Sequence, residues 1–292
     1  MKVPRRVFDA HSHIGALGSY PYYGAKTPVN PTVIEYADTA SMVKHLDDHG
    51  IERAMIIPNY GIPDSTLSFK YNPLVIDSLE HNDRFVGAIW VSPVLKDRPL
   101  NQEAIKHAGD KGVKALKATC LLGGTYKIAD WDEETRALWE ELIDCCEANN
   151  LIFVLHTSPG GTSDISNLLT LIREYGKRIR IYVVHMGGGV SGNIKYVPVF
   201  FDLVAEGYKV YGDFTWSPGF GSRWMIHELQ ERGEAWDRIM FAADTPWSDF
   251  WSEYYRIELA DVSEELKDRL YYVNASELYE SCGRSAMKVE AK

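Results

Sequence analysis

Short apolar segments alternate with amphipathic helical patterns along the whole chain. The apolar segments are rich in Val, Ile, Phe and Tyr and span residues 7–13, 52–58, 84–92, 113–119, 151–157, 179–185, 209–214 and 238–244. The intervening helical patterns cover residues 39–49, 73–82, 101–111, 132–149, 164–175, 197–206 and 222–231, with two more at 263–271 and 274–281. Eight strands each followed by a helix predict a (β/α)₈ TIM barrel, and a doubly wound open sheet is the alternative.

Length and composition predict one domain with small-molecule partners. The 292 residues are 45% hydrophobic and show no composition shift that would mark a linker, so we expect a single barrel domain over 1–292. A formal charge of −10 disfavours a nucleic-acid partner.

No run of eighteen apolar residues occurs and only six residues precede the first strand, so we expect no membrane span, no signal peptide and a cytoplasmic location. Four cysteines, two of them adjacent, indicate reduced thiols. A homodimer stays an open alternative.

Several predicted strands end in side chains that bind metals. His11 and His13 are two residues apart in the first strand and therefore point the same way, and His156, His185 and Asp244 end later strands. The carboxyl ends of all strands gather at one face of a barrel, where catalytic residues lie. The sequence thus predicts one metal site. The simpler alternative is that a polar strand end happens to carry two histidines.

Lys117 ends the fourth predicted strand. It shares a face with Val113 and Ala115, which suit a barrel interior, whereas Lys114 points the other way. We therefore expect Lys117 at the barrel mouth. It is either a charge partner for Asp244 or for an anionic substrate, or a CO₂-derived carbamate that bridges two metal ions.

Two further features are expected to form the walls of a binding pocket. The long connection 14–38 contains several tyrosines and prolines, and loops of this length inside compact domains are commonly functional, so we interpret it as a lid. Aromatic residues at or after strand ends are the candidates for substrate binding: Tyr60, Trp90, Tyr126, Trp216 and Trp247.

Residues 187–192 match the G-x-G-x-x-G pattern of dinucleotide-binding loops. Asp213 lies about where a ribose-binding acid would be. Proline favours the first position of a helix, so the next helix is expected to begin near Pro198, which would leave the last glycine well before it. This spacing disfavours a dinucleotide site and favours a loop whose backbone approaches the metal pocket.

The motifs together resemble the amidohydrolase superfamily, in particular its type 2 branch, which is related to aminocarboxymuconate-semialdehyde decarboxylase. The resemblance extends over nearly the whole chain and is carried by these segments: Asp9-Ala-His-Ser-His13, Val113-Lys-Ala-Leu-Lys-Ala118, His156, His185-Met-Gly-Gly188, Phe241-Ala-Ala-Asp-Thr-Pro246 and Asn274-Ala275. It implies a metal-dependent barrel, here without the additional N-terminal β-domain of urease-like members. Members usually have Gly or Ser where this chain has Ala243, and often a histidine near Thr119.

The expected ligands do not select one metal. Imidazole nitrogens and carboxylate oxygens suit several divalent ions, so we expect one or two ions, zinc first and iron or manganese as alternatives. Such an ion lowers the pKa of bound water toward about 7, and Asp244 and His185 are the candidates for proton transfer. The first hypothesis is hydrolysis of an amide, ester, lactone or thioester. The second, suggested by the family branch, is non-oxidative decarboxylation of an unsaturated or aromatic acid. A diiron oxygenase and a non-catalytic metal-binding protein complete the alternatives.

Overall fold

The eight strands form one parallel sheet in sequential order, as the alternation predicted. The computed structural model describes residues 2–15, 37–59, 66–217 and 219–283. Most of the expected lid 14–38 and Tyr60 lie outside these residues, so both stay predictions. The strands are β1 (Phe8–Ile14), β2 (Arg53–Pro58), β3 (Phe85–Trp90), β4 (Val113–Ala118), β5 (Ile152–His156), β6 (Arg180–Val184), β7 (Val210–Asp213) and β8 (Ile239–Met240).

Backbone hydrogen bonds between β1 and the segment that follows β8 close the ring. Ala10 donates to the Phe241 carbonyl at 3.0 Å, Asp244 donates to His11 at 2.8 Å, and His13 donates to Thr245 at 2.7 Å. The eighth strand is shorter than predicted because residues 241–245 leave ladder geometry while keeping these bonds. The fold is therefore a (β/α)₈ barrel, and Asp244 is attached directly to the strand that carries both histidines.

Helices surround the barrel. They are α1 (Thr39–His49), α2 (Thr66–Lys70), α3 (Asn72–His81), α4 (Arg98–Ala104), α5 (Glu133–Ala148), α6 (Ile165–Tyr175), α7 (Gly189–Ala205), α8 (Phe220–Arg232), α9 (Phe250–Glu258), α10 (Glu264–Asp268) and α11 (Asn274–Glu280). Every predicted helical segment overlaps a helix. The bounds of α1 agree with the prediction because Asp38 and Ser41 form a capping box and Gly50 ends the helix in the left-handed conformation. No described helix is both long and apolar enough to cross a bilayer.

The sequence analysis misplaced the start of helix α7 and did not predict helices α2 and α9. Helix α7 begins at Gly189, nine residues before Pro198, which lies inside it. The sequence pattern did not indicate this start because the segment is rich in glycine. A Cβ on Gly192 would lie 1.8 Å from the Gly187 carbonyl oxygen, so the first turn forms only because glycine lets the two backbones touch. Helix α9 was not predicted; its N-cap Asp249 accepts from the Ser252 amide, and its apolar face is built from aromatic residues.

The hydrophobic core has two layers. Inside the barrel lie Phe8, Met55, Ile57, Val86, Ile152, Val154, Tyr182, Val184 and Met240. The residues after α10 close the amino-terminal end, where the Tyr279 hydroxyl donates to the Ala10 carbonyl at 2.9 Å. A second, larger layer packs the outer strand faces against the helices. This packing leaves the carboxyl ends of the strands as the open end of the barrel.

Candidate metal centre and cavity

The end of β1 brings two imidazole nitrogens together. The Nε2 atoms of His11 and His13 lie 3.2 Å apart, and both side chains are only 1% exposed. The pairing of β1 with β2 shifts register between Asp9 and Ser12. Asp9 holds this irregular segment, because its carboxylate accepts from the amides of His11 and Ala243 at 3.2 and 2.9 Å. The two histidines thus converge as the sequence indicated.

Asp244 completes a three-residue cluster with these histidines. Its Oδ1 lies 3.4 Å from His11 Nε2 and 3.2 Å from His13 Nε2. One ligand atom from each residue falls within 4.8 Å of the others. Asp244 has a φ of 51°, which is uncommon for a residue with a side chain, and this conformation orients the carboxylate toward β1.

Each histidine has an acceptor near its outer nitrogen, although only His13 forms a hydrogen bond through it. His13 Nδ1 lies 3.2 Å from the Pro58 carbonyl oxygen, and His11 Nδ1 faces Asp213 Oδ2 at 3.4 Å. A proton on each Nδ1 leaves the Nε2 lone pairs directed at one another and at Asp244. Two lone pairs and a carboxylate oxygen this close repel each other unless a cation lies between them. The donor set therefore fits a divalent metal ion.

Asp213 lies beside this cluster, whereas the sequence analysis considered it only as a possible ribose-binding acid. It is fully buried, and besides facing His11 its Oδ1 accepts from the amides of His185 at 3.2 Å and Thr215 at 2.9 Å. The available signal was its position at the end of β7, equivalent to that of Asp244 after β8. Because this carboxylate is enclosed, it is not available to a ribose. Helix α7 begins at Gly189, so the spacing to Pro198 does not argue against a dinucleotide site. The burial of Asp213 does argue against it.

Burial controls the charges of the cluster. It lowers the pKa of His13 and of His156 to about 3, with Lys117 as the second cause for each, and lowers the pKa of His11 and His185 well below the usual value. The imidazoles are therefore neutral, as metal ligands must be. Burial also lowers the pKa of Lys117 to about 8.

The remaining predicted ligands surround this cluster. Lys117 Nζ lies 3.4 Å from His11 Nε2. His185 is further out, with Nε2 3.9 Å from Asp244 Oδ2 and Nδ1 2.6 Å from the Thr215 hydroxyl. The rings of His156 and His185 meet edge to face at 4.9 Å. The structure thus brings all six predicted ligands to one end of the barrel.

A cavity of about 690 Å³ opens at this point. Its described lining residues are Leu121, His156, Thr157, Ser158, Pro159, His185, Gly188, Gly189, Trp216, Asp244, Ser248, Glu253 and Arg256. The volume is within the range of small-molecule sites. The two glycines support the expectation that the loop after β6 brings backbone to the pocket.

Of the described aromatic residues that were predicted to bind substrate, Trp216 is among the lining residues of the cavity, whereas Trp90, Tyr126 and Trp247 are not. Trp216 lines the cavity, is 49% exposed, and donates from Nε1 to Asp244 Oδ2 at 2.5 Å. Trp90 and Tyr126 are fully buried and are not among the described lining residues. Tyr126 packs against Trp139 and donates to the His156 carbonyl at 2.9 Å, so it supports β5 from outside. Trp247 donates to Asn59 at 2.8 Å beside the barrel mouth.

Glu253 should make stability depend on pH. Burial raises its pKa to about 7 from 4.5, so folding favours the protonated form. Its contribution to the free energy of unfolding is then full below pH 4.5 and declines as the pH rises to about 7. In metal-free protein, we compare the free energy of unfolding of Glu253→Gln with that of the natural protein. This difference should shift in favour of the variant by roughly 1 to 3 kcal/mol as the pH rises from about 5 to about 8. Urea unfolding of both proteins at the two pH values measures this, and an unchanged difference would contradict it.

A (β/α)₈ barrel whose strand ends converge on two histidines and an aspartate has the architecture of a metal-dependent enzyme. The family model described as amidohydrolase matches residues 8–280. The chain therefore belongs to the amidohydrolase family, as the motifs suggested. A comparison with curated proteins found no match.

Solved structures with the same fold include several decarboxylases. The chain resembles 5-carboxyvanillate decarboxylase from Sphingomonas paucimobilis with 13% identity and a TM-score of 0.68, covering 94% of this chain and 99% of that one. It resembles 2,6-dihydroxybenzoate decarboxylase from Rhizobium with 16% identity, a TM-score of 0.67 and the same coverage. A dihydroxybenzoic acid decarboxylase from Polaromonas sp. JS666, with bound manganese and the inhibitor 2-nitroresorcinol, has 17% identity, a TM-score of 0.64 and coverage of 94% and 97%.

Proposed function

We propose that the protein is a metal-dependent, non-oxidative decarboxylase of an aromatic or unsaturated carboxylic acid. The observation that carries the proposal is the double orientation of Asp244. Its Oδ1 faces the two histidines, while its Oδ2 lies at the cavity wall beside Trp216. A substrate whose carboxylate lies at the metal end would place the carbon that bears this carboxylate next to the side chain of Asp244. The decarboxylase activity of the structural neighbours supports the same choice.

His11, His13 and Asp244 would hold the metal ion, with His156 and His185 on its cavity side. When bound, the ion supplies positive charge that anchors the substrate carboxylate and stabilises the electron pair released by C–C cleavage. Manganese is the first ion to test because a neighbouring structure contains it. We also propose Lys117 as a site residue, and a carbamate there would provide a second metal position.

The chain's own residues account for the remaining steps. Trp216 and Leu121 offer apolar surface to a planar substrate and exclude water. Asp244 or His185 would take up one proton from solvent and pass it to the carbon as CO₂ leaves, so that the bonding pair of the broken C–C bond becomes the new C–H bond. Thr215 and Asp213 hold His185 in orientation through its Nδ1 and its amide. No oxidant or reductant is consumed.

Hydrolysis, the first hypothesis from the sequence, is the second candidate. The position of Lys117 beside His11 favours it, because two metal ions bridged by a carbamate are suited to activating water.

Manganese-loaded protein incubated with 2,6-dihydroxybenzoate and 5-carboxyvanillate in D₂O should release CO₂ and leave one deuterium on the carbon that lost it. Ester or lactone cleavage without CO₂ release would overturn the proposal in favour of hydrolysis. Oxygen consumption by iron-loaded protein would favour the oxygenase.

Trp216 should act as a positioning residue for Asp244. Trp216→Phe keeps an aromatic ring on the cavity wall but removes the N–H that holds Oδ2. A hydrogen bond to a charged group is worth about 1.5 to 3 kcal/mol, so kcat should fall by about tenfold or more. KM and metal content should stay near the values of the natural protein, which separates this role from substrate binding. A raised KM with normal kcat would show instead that Trp216 only contacts substrate.

A further inference from the structure

Helix α9 contributes an arginine and a glutamate to the cavity that holds Asp244. Arg256 and Glu253 line this cavity from α9, together with Ser248, which precedes that helix. Arg256 Nη1 lies 2.9 Å from Glu253 Oε2 and donates to the Ser217 carbonyl at 3.3 Å. Glu253 in turn accepts from the Ser248 hydroxyl at 2.5 Å. The pair is thus built into the wall, and the guanidinium has a fixed place.

Only part of the guanidinium is used by the protein. Both contacts involve Nη1, and in the described part of the chain Nε and Nη2 have no protein acceptor. The Arg256 side chain is 21% exposed, whereas that of Glu253 is 3% exposed. An arginine that lines a ligand cavity and has donors left over can present the planar arrangement that matches a carboxylate.

The charge balance around Arg256 leaves room for an anion. Glu253 is enclosed and hydrogen-bonded to Ser248, so it is the less available member of the pair. Gly188 and Gly189, at the start of the 17-residue helix α7, line the same cavity. The first turn of a helix carries partial positive charge. The cavity thus offers an anionic group positive charge that does not come from the metal cluster.

We propose that Arg256 binds a second carboxylate of the substrate, so that the natural substrate is a dicarboxylic acid. The inference rests on the proposed function, in which the reacting carboxylate lies at the metal. Nε and Nη2 donate to the distal carboxylate and fix the orientation of the substrate between the two ends of the cavity. Arg256 thereby selects dianionic over monoanionic acids of similar size.

Calorimetric titration of the manganese-loaded protein tests this with probes of known charge. Benzoate is compared with isophthalate and terephthalate, whose two carboxylates differ in separation. A charge-assisted contact of this kind should make at least one dianion bind about tenfold tighter than benzoate, or more. Arg256→Met should abolish that gain and leave benzoate affinity within about twofold. Arg173→Met, at an exposed arginine of α6, is the matched control and should keep the gain.

The outcomes separate the inference from the function. Equal binding of all three probes by the natural protein, or a gain that survives Arg256→Met, would overturn the inference. If Arg256→Met does not fold, Arg256→Gln retains a donor for Ser217 without the charge and is judged by the same criterion. None of the titrations requires turnover. A protein that decarboxylates but does not prefer dianions would refute the subsite alone, whereas a protein that binds dianions without releasing CO₂ would refute the function alone.

Discussion

His11→Ala and His13→Ala are each expected to lose bound metal and all measurable turnover while keeping the barrel. Both Nε2 atoms lie within 3.4 Å of Asp244 Oδ1, so either change removes one of the three converging donors. Folding should survive because the two side chains lie in a polar cluster above the apolar interior of the barrel. The expected signature is a thermal midpoint that no longer rises with added manganese, since ligand stabilisation follows RT ln(1 + [L]/Kd).

A histidine outside the site provides the control for these variants. His227 lies in α8, away from the strand ends, and His227→Ala should keep both metal content and the manganese-dependent rise of the midpoint. Circular dichroism of all three variants checks that the barrel is intact. If His11→Ala or His13→Ala retained full metal occupancy, the assignment of this cluster as the metal site would be wrong.

Asp244→Asn is expected to separate metal retention from chemistry. The amide keeps the size of the side chain and one ligating oxygen, and its NH₂ cannot deliver or accept a proton as a carboxyl group does. Most of the metal should be retained, and turnover should fall by the factor of about 10² to 10⁴ that is typical of general acid–base catalysis. Metal content, thermal midpoint and kcat are measured on one preparation.

A structural role for Asp244 makes the opposite prediction for this variant. Because Asp244 donates its amide to His11 and adopts a φ of 51°, it also organises the loop after β8. A purely structural aspartate would give a destabilised protein with normal activity per folded molecule. Such a result for Asp244→Asn would remove it from the proton-transfer step.

The sequence was sufficient for the barrel because the pattern and the packing agree. Parallel strands buried on both faces appear as continuous apolar runs, and eight of them alternate with amphipathic helices. The site followed from one geometric rule, that strand ends meet at one face. His11, His13 and Asp244 could be placed together in this way without knowledge of any distance.

Elements that depend on backbone contacts or on aromatic packing were harder to predict. The start of α7 depends on contact between the backbones of Gly187 and Gly192, which no helical periodicity records. Helix α9 has a mixed sequence of aromatic and charged residues, so Glu253 and Arg256 were not expected in the cavity. Tyr126 follows a strand end as pocket residues do, yet it turns outward onto Trp139 because its ring fills the layer between barrel and α5.

The reaction itself is the step that neither pattern nor fold determines. Asp244, His185 and a divalent ion can serve either water attack on a carbonyl or protonation of a carbon. Relatives with 13% to 17% identity share the fold, and their activities enter only as support for the proposal. The choice depends on which substrate atom lies beside Asp244, which is why the D₂O experiment and the Arg256 titrations matter.

The most direct test of the account is the location of the metal. An anomalous difference map from crystals of the manganese-loaded protein should show a peak in contact with His11 Nε2, His13 Nε2 and the carboxylate of Asp244. A second peak beside Lys117 would add the bridged arrangement. Crystals with fully occupied manganese elsewhere and no peak between these three residues would contradict the central claim.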